Sequence, residues 1–289
     1  MANLKEVRNR IVSVGSTMQI TSAMKMVSAA KLKRAQDAIV QMRPYAIKLR
    51  EILENLSSSL DSSEGAFTKQ REVKNVLLVV ITSNRGLCGG FNANIIKKAS
   101  LLIRENYKGC NINVITIGKK ATDFFKKSNC NLVSSHNELF DALTYARVAP
   151  VAEKIMQDFA AGIYDKIELV YNQFKNAAVQ LPQNEQFLPV LPPPANPNKK
   201  SAATDYIFEP GKAEIVQDII PRSLKTQLYK ALLDSQASEH GARMTAMHKA
   251  TDNAKEMIRV LKLNYNKARQ AAITGEILEI VGGSEALNN

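Results

Sequence analysis

Apolar residues recur every three or four positions through the first sixty residues of this 289-residue chain. Heptad positions run from Leu4 to Leu60, and fourteen of the seventeen carry an apolar residue. A 3.5-residue spacing kept over this length is typical of a helix that packs along another helix in a left-handed supercoil. The three exceptions are consecutive, Thr21, Lys25 and Ser28. The sequence therefore predicts a long coiled-coil helix with a polar gap in its seam.

The C-terminal part repeats this pattern. Of the nine heptad positions from Met244 to Ala272, eight are apolar and the exception is Thr251. Gly282 and Gly283 are predicted to end this second helix. Because the two seams lie at opposite ends of one chain, with a folded segment between them, we expect them to pair antiparallel.

The middle of the chain has a different hydrophobic pattern. Buried-strand patterns at 76–81, 112–117 and 167–171 alternate with helical patterns, one of them at 138–161. Such alternation indicates a parallel sheet with right-handed crossovers. The predicted fold class is α/β, with a central parallel-sheet (Rossmann-like) domain flanked by long N- and C-terminal helices that form an antiparallel coiled coil.

Three segments are predicted on this basis. Residues 1–60 form the N-terminal coiled-coil helix, 74–208 the α/β domain and 212–289 the C-terminal coiled-coil helix. Within the α/β domain, the proline-rich stretch 181–198 is predicted to be a loop, with polyproline II character near its end.

Composition limits the classes of protein that fit. The net charge of +12 favours acidic partners, and no run of 18 apolar residues predicts a membrane span. Three isolated cysteines without a C-x-x-C pair indicate a reducing compartment. An acid-poor amphipathic start is also a feature of transit peptides, but here the same periodicity continues past residue 50, which favours a structural helix.

The stretch SNRGLCGGFN, residues 83–92, follows a predicted strand and opens a predicted helix, where phosphate loops occur. It matches neither common phosphate-loop motif, so a tight glycine turn with Cys88 as a small buried thiol is the favoured interpretation. His240 and His248 are eight residues apart, which is too far for two ligands on one helical turn. We therefore predict no catalytic residues, no bound metal and no cofactor.

The N-terminal helix is unusually basic. Between Val7 and Gln36 there are six Lys or Arg and no acidic residue. A solvated face, an acidic protein partner and duplex nucleic acid all fit this run, while the single aromatic residue of the first sixty, Tyr45, argues against base stacking. A DNA-binding coiled coil and a small phosphate-handling enzyme therefore remain alternatives.

Four stretches together resemble the gamma subunits of F-type ATP synthases: ITSAMKMVSAAKLKRAQ, SNRGLCGGFN, SEHGARMTAMHKATDNA and LNYNKARQAAITGEILEIVGG. The resemblance covers nearly the full length and is to the bacterial type. It implies a non-catalytic rotor shaft that couples ion flow through a membrane sector to ATP synthesis or hydrolysis on alpha and beta subunits. The implied partners are alpha, beta, epsilon and the membrane c-ring, with no nucleic acid and no membrane span. The implied location is peripheral, on the cytoplasmic face of the bacterial inner membrane.

The resemblance also implies coupling residues. Met24 and Lys25 match positions where the shaft meets an acidic lever helix of beta, and Lys31, Lys33 and Arg34 are expected to add a graded attraction. The C-terminal coupling contacts with beta are implied at Arg243, Gln270, Thr274 and Glu276.

Some residues depart from the family pattern. Asn84 replaces a more usual acid, and Gly241 replaces a common alanine. After Gly241 the only aromatic residue is Tyr265, so we expect contacts there to be spread over small side chains rather than concentrated in aromatic anchors.

Overall fold

Two long helices and a five-stranded sheet make up the computed structural model, which describes residues 4–57, 67–128, 130–190 and 212–287. Helix α1 spans Leu4–Ser57 and the last helix, α5, spans Lys212–Leu287. Between them lie β1 (Asn75–Ile81), α2 (Phe91–Glu105), β2 (Asn111–Ile117), α3 (Lys119–Phe125), β3 (Asn131–Ser135), a 3-10 turn (Asn137–Phe140), α4 (Tyr145–Ala160), β4 (Lys166–Phe174) and β5 (Gln180–Leu188).

The chain divides into two compact units. The first joins Met1–Ser28 to Arg243–Asn289, and the second is Ala29–Ala242. In the first unit, Thr21 contacts Thr251 while Lys25, further along α1, contacts His248, which lies earlier in α5. Residue numbers rise on one helix as they fall on the other, so the pair is antiparallel, as predicted.

The predicted seams are confirmed by burial. Each of the heptad positions from Leu4 to Leu49 is buried or half-buried, and so are the nine positions from Met244 to Ala272. The side chains of the three last predicted N-terminal seam positions, 53, 56 and 60, lie outside the described residues. The predicted end of the second helix at Gly282 is wrong, because α5 continues to Leu287.

The second unit is built on one mixed sheet, in the order β3-β2-β1-β4-β5. The pairs β3-β2, β2-β1 and β1-β4 are parallel, and β4-β5 is antiparallel. From β1 the chain adds β2 and β3 on one side, and then returns to add β4 on the other side of β1. Because right-handed crossovers in opposite directions place their helices on opposite faces, helices cover both faces of the sheet, as in a doubly wound fold.

Each face of the sheet has its own apolar core. On one face, α2 and α3 contribute Ile95, Ala99 and Phe125 to a cluster with β1 and β2. On the other face, α4 and the first half of α5 pack together, with Leu224 and Leu228 among the buried residues of α5.

Three sequence predictions in this unit are corrected. The stretch 181–188, predicted as a loop, is most of strand β5; residues 191–198 lie outside the described residues. Strand β3 was not predicted at all. The helix predicted over 138–161 is instead the 3-10 turn followed by α4 from Tyr145. The predicted domain limits themselves stay a prediction.

Candidate functional site

The polar gap in the α1 seam is matched by polar residues of α5. Thr21 and Thr251 are both buried, and their hydroxyl oxygens lie 2.9 Å apart. Each also lies close to a carbonyl of its own helix, that of Met18 at 3.0 Å and that of Met247 at 2.8 Å. Since every polar atom has a partner, the gap is a layer of satisfied hydrogen bonds between the two helices.

Lys25 continues this layer one turn further along α1. Its Nζ lies 3.2 Å from Nδ1 of His248. The same ring nitrogen lies 3.5 Å from a carboxylate oxygen of Asp252, whose other oxygen lies 3.9 Å from Nζ of Lys255. An ammonium group can only donate, so the contact with Lys25 requires an unprotonated Nδ1. Lys25 is therefore held by α5 through one hydrogen bond to His248, and this Nδ1 has no proton to donate to the nearby Asp252 carboxylate.

Met24 and Ser28 belong to the same stretch of α1. Ser28 is buried and donates a hydrogen bond to the Met24 carbonyl at 2.7 Å, which satisfies its hydroxyl within the helix. Met24 itself is half-buried. Of the two predicted contact residues, Lys25 is thus brought to His248, a residue considered from the sequence only as a metal ligand.

The predicted C-terminal contact residues are spread along α5. Arg243 is buried, while Gln270, Thr274 and Glu276 are exposed. Thr274 donates a hydrogen bond to the Gln270 carbonyl at 2.9 Å. Glu276 is 28 residues beyond His248, about 42 Å along a helix. The structure therefore does not bring the three exposed residues of α5, Gln270, Thr274 and Glu276, together with Lys25.

The remaining predicted contacts, Lys31, Lys33 and Arg34, belong to the second unit and are exposed. Lys33 forms an ion pair with Asp37 at 2.9 Å. Exposed ion pairs of this kind contribute about 0–1 kcal/mol, so this pair leaves Lys33 able to exchange partners.

The first unit exposes large aliphatic side chains. On α1 these are Val12, Ile20, Met26 and Val27, and on α5 Met257, Val260, Leu263, Ile273, Ile277, Leu278, Ile280 and Val281. Ile280 is the most exposed of them, at 71%. The expectation of mainly small side chains on this surface is therefore wrong. Apolar side chains exposed in such number on one unit indicate a surface that another protein covers.

The glycine turn after β1 is closed by its own hydrogen bonds. The backbone N–H and hydroxyl of Ser83 lie 2.9 and 3.1 Å from Oδ1 of Asn92, and the Asn92 amide reaches Sγ of Cys88 at 3.2 Å. Cys88 is buried against Phe91 and Ala242. The prediction of a tight turn with a buried thiol is confirmed.

Two departures from the family pattern have structural explanations. The Asn84 amide donates to the Asn137 carbonyl at 2.8 Å and accepts the Lys119 N–H at 3.0 Å, and a carboxylate could only accept. At Gly241, an added Cβ would lie 3.1 Å from Cα and 3.2 Å from the carbonyl oxygen of Ala177. Gly241 thus permits close approach of α5 to the loop that carries Ala177.

The described ranges contain His, Cys, Asp and Glu side chains of the kinds that bind metal ions. Among them, no three His, Cys, Asp or Glu side chains lie close enough to share an ion. His136 lies on the sheet edge, where its Nε2 is 3.2 Å from the Ser134 hydroxyl. Nor does any helix in those ranges have the length and apolar character needed to cross a membrane.

Comparison with known proteins gives a full-length match. The ATP synthase family model matches residues 3–287. The chain is 63% identical to the ATP synthase gamma chain of Flavobacterium johnsoniae, with all of both chains covered. It is 54% identical to that of Cytophaga hutchinsonii, again over all of both chains.

Solved structures agree in fold. The chain is similar to one from the central stalk and c-ring of the Tetrahymena thermophila mitochondrial ATP synthase, with 26% identity and a TM-score of 0.59, covering 80% of this chain and 99% of that one. A chain of the Euglena gracilis mitochondrial ATP synthase has a TM-score of 0.68 at 22% identity, covering 98% and 94%. At that identity the second likeness bears on the fold alone.

Proposed function

This chain belongs to the ATP synthase gamma chain family and is the central shaft of an F-type ATP synthase, and we propose that it transmits torque between ion flow and nucleotide chemistry without catalysing either. The observation that carries the proposal is the antiparallel helix pair with its exposed aliphatic surface, on a chain similar to gamma chains over its full length. A shaft held inside other subunits needs such a surface.

We propose alpha and beta as the subunits that cover the exposed aliphatic side chains, and epsilon and the membrane c-ring as partners of the α/β unit. The Tetrahymena relative comes from an assembly described as central stalk and c-ring, which supports the choice of the c-ring. The proposed location is peripheral, at the cytoplasmic face of the bacterial inner membrane. Nucleotide chemistry would then belong to other subunits.

Coupling to beta is proposed to act through two groups of residues. Met24 and Lys25 are half-buried beside the polar layer of α1, and the cations that follow them in the sequence extend the positive charge. These cations are Lys31, Lys33 and Arg34. The second group, in α5, comprises Arg243, Gln270, Thr274 and Glu276.

The polar layer supports this role physically. Because Lys25 is already oriented by His248, an approaching carboxylate meets an ordered ammonium group and does not have to immobilise a free side chain. Because the contact is partly exposed, the attraction stays weak enough to release at each rotational step.

Neutralising the cations of α1 tests the coupling proposal. We expect a fourfold change to glutamine at Lys25, Lys31, Lys33 and Arg34 to lower ATP-driven proton pumping per ATP hydrolysed and to weaken its dependence on salt. A control with the same change of net charge uses exposed lysines of the second unit. They are Lys69, Lys74, Lys154 and Lys175. Equal pumping ratios in the two variants would show that the α1 cations have no specific role.

Co-assembly tests the function as a whole. The purified chain, mixed with alpha and beta subunits, is expected to form a complex and to restore its ATPase activity, while the chain alone hydrolyses no nucleotide. Turnover by the isolated chain would favour the phosphate-handling alternative. Tight, salt-sensitive binding to random duplex without co-assembly would favour the DNA-binding one.

A further inference from the structure

One face of the second unit carries a dense positive charge. Residues 97–127, which include most of α2 and all of α3, contain eight Lys or Arg and two acids, a net charge of +6 out of +12 for the chain. Both helices pack on the same side of the sheet, so their outer surfaces face solvent together. Seven of the cations are exposed and are called the basic face here: Lys97, Arg104, Lys108, Lys119, Lys120, Lys126 and Lys127.

The basic face has little internal counter-charge: Glu105 and Asp123 are its two acids, and both are exposed. In the described ranges, none of its seven cations forms an ion pair. Elsewhere many cations do, as with Lys154 and Asp158 at 2.9 Å or Lys225 and Glu153 at 2.6 Å. Seven cations against two acids leave a positive excess on this face, which attracts an external polyanion.

The kinds of side chain identify the class of polyanion. Six of the seven cations are lysines, which are depleted in protein interfaces, whereas arginine is preferred for directional pairing with carboxylates. Leu101 and Phe124 stand exposed on the same two helices, at 47% and 43%. Lysines mixed with exposed apolar side chains suit a surface of diffuse negative charge with an apolar layer beneath it. We propose that the basic face binds an anionic phospholipid surface.

Such binding is compatible with rotation. Lipid headgroups are mobile and present the same average charge at every angle, so an attraction to them adds no angular barrier to a turning shaft. Compatibility with rotation rests on the proposed function, whereas the proposed binding to lipid does not depend on that function.

Vesicle co-sedimentation of the full chain tests the proposal. The wild-type chain is expected to bind vesicles of phosphatidylglycerol mixed with phosphatidylcholine, with an affinity that falls as salt rises, and not to bind phosphatidylcholine alone. The test variant replaces four lysines of the basic face with glutamine: Lys119, Lys120, Lys126 and Lys127. Since each Lys near such a surface contributes roughly fivefold in binding, we expect the affinity to fall on the order of 100-fold or more.

The matched control replaces four exposed lysines of α5 with glutamine: Lys249, Lys255, Lys262 and Lys267. It lowers the net charge by the same four units, so we expect the vesicle affinity to fall only several-fold, because the long-range attraction is weaker. Unchanged circular dichroism spectra and unfolding midpoints in both variants exclude misfolding as the cause.

Several outcomes would overturn the proposal. They are no binding by the wild type, equal binding to neutral vesicles, or an equal loss in both variants. Binding to random duplex DNA without binding to anionic vesicles would assign the face to nucleic acid instead. All of these results are independent of co-assembly with alpha and beta, so failure here leaves the shaft function standing.

Discussion

The hydrogen bond between Thr21 and Thr251 offers a direct measure of what the polar layer contributes to the helix pair. Each hydroxyl has one proton, and the two oxygens are 2.9 Å apart. If Thr251 donates to the Met247 carbonyl at 2.8 Å, Thr21 donates across the seam. When either threonine is replaced, the other can still donate to a carbonyl of its own helix, so no hydroxyl proton is left without an acceptor.

The expected magnitudes follow from this geometry. A single change, Thr21→Val or Thr251→Val, removes one buried hydrogen bond and is expected to lower the free energy of unfolding by about 1 kcal/mol. The larger cost of an unsatisfied buried group does not apply. The double variant places two methyl groups against each other and is expected to be as stable as the wild type, within roughly 0.5 kcal/mol. The coupling energy between the two changes is therefore about 2 kcal/mol.

Urea unfolding followed by helical circular dichroism on the four proteins gives this coupling as a double-mutant cycle. Thr17→Val serves as a control, because its exposed hydroxyl bonds only to the Ser13 carbonyl, and we expect a change below about 0.5 kcal/mol. Additive losses in the double variant would refute the reasoning, since they would mean that the two hydroxyls act independently.

Two further predictions concern the second unit and its controls. Gly241→Ala should leave the stability unchanged or lower it, because the new Cβ meets the Ala177 backbone. Gly275→Ala, whose new Cβ has nothing within 4 Å, should stabilise the protein by about 0.5–1 kcal/mol in thermal unfolding. A gain in stability at both sites would contradict the close approach at Gly241. Burial and the nearby Glu185 carboxylate raise the pKa of Tyr171, so the folded protein keeps a proton that the unfolded chain loses near pH 10, and stability falls as pH rises above that value. Tyr171→Phe should reduce this slope by up to about 1.4 kcal/mol per pH unit in urea titrations, and an unchanged slope would contradict it.

The helices were predictable because their signal is local and repeated. Nearly every turn of the seam carries its own apolar residue, so the polar residues Thr21 and Lys25 do not obscure the pattern on either side of them. The sequence also contains a signal for the register of the pair. Thr251 is the one polar residue among nine C-terminal seam positions, and matching it to the polar gap of α1 would have paired Thr21 with Thr251 and pointed to His248.

Strand β5 could not be found in the same way. Its sequence, QLPQNEQFL, lacks β-branched residues and contains Pro182. What makes it a strand is its pairing with β4 over Gln180–Leu188, a contact between segments that no local pattern encodes. An edge strand tolerates proline because only one of its sides needs hydrogen bonds. The loop prediction is therefore wrong here because pairing with β4 outweighs the low strand propensity of the sequence.

The docking of α5 on the sheet combines two kinds of contact with different consequences. Leu224 and Leu228 supply apolar packing, which fixes distance but is not directional. Glu185 adds direction, because it accepts hydrogen bonds from the Tyr171 hydroxyl at 2.7 Å and from the Gln227 amide at 2.8 Å. For the helix to turn about its own axis within this unit, the Gln227 contact would have to break in a half-buried environment, which costs more than it would in water. The hydrogen bond from Gln227 therefore adds directional resistance to the turn, together with the ion pair between Lys225 of α5 and Glu153 of α4 at 2.6 Å.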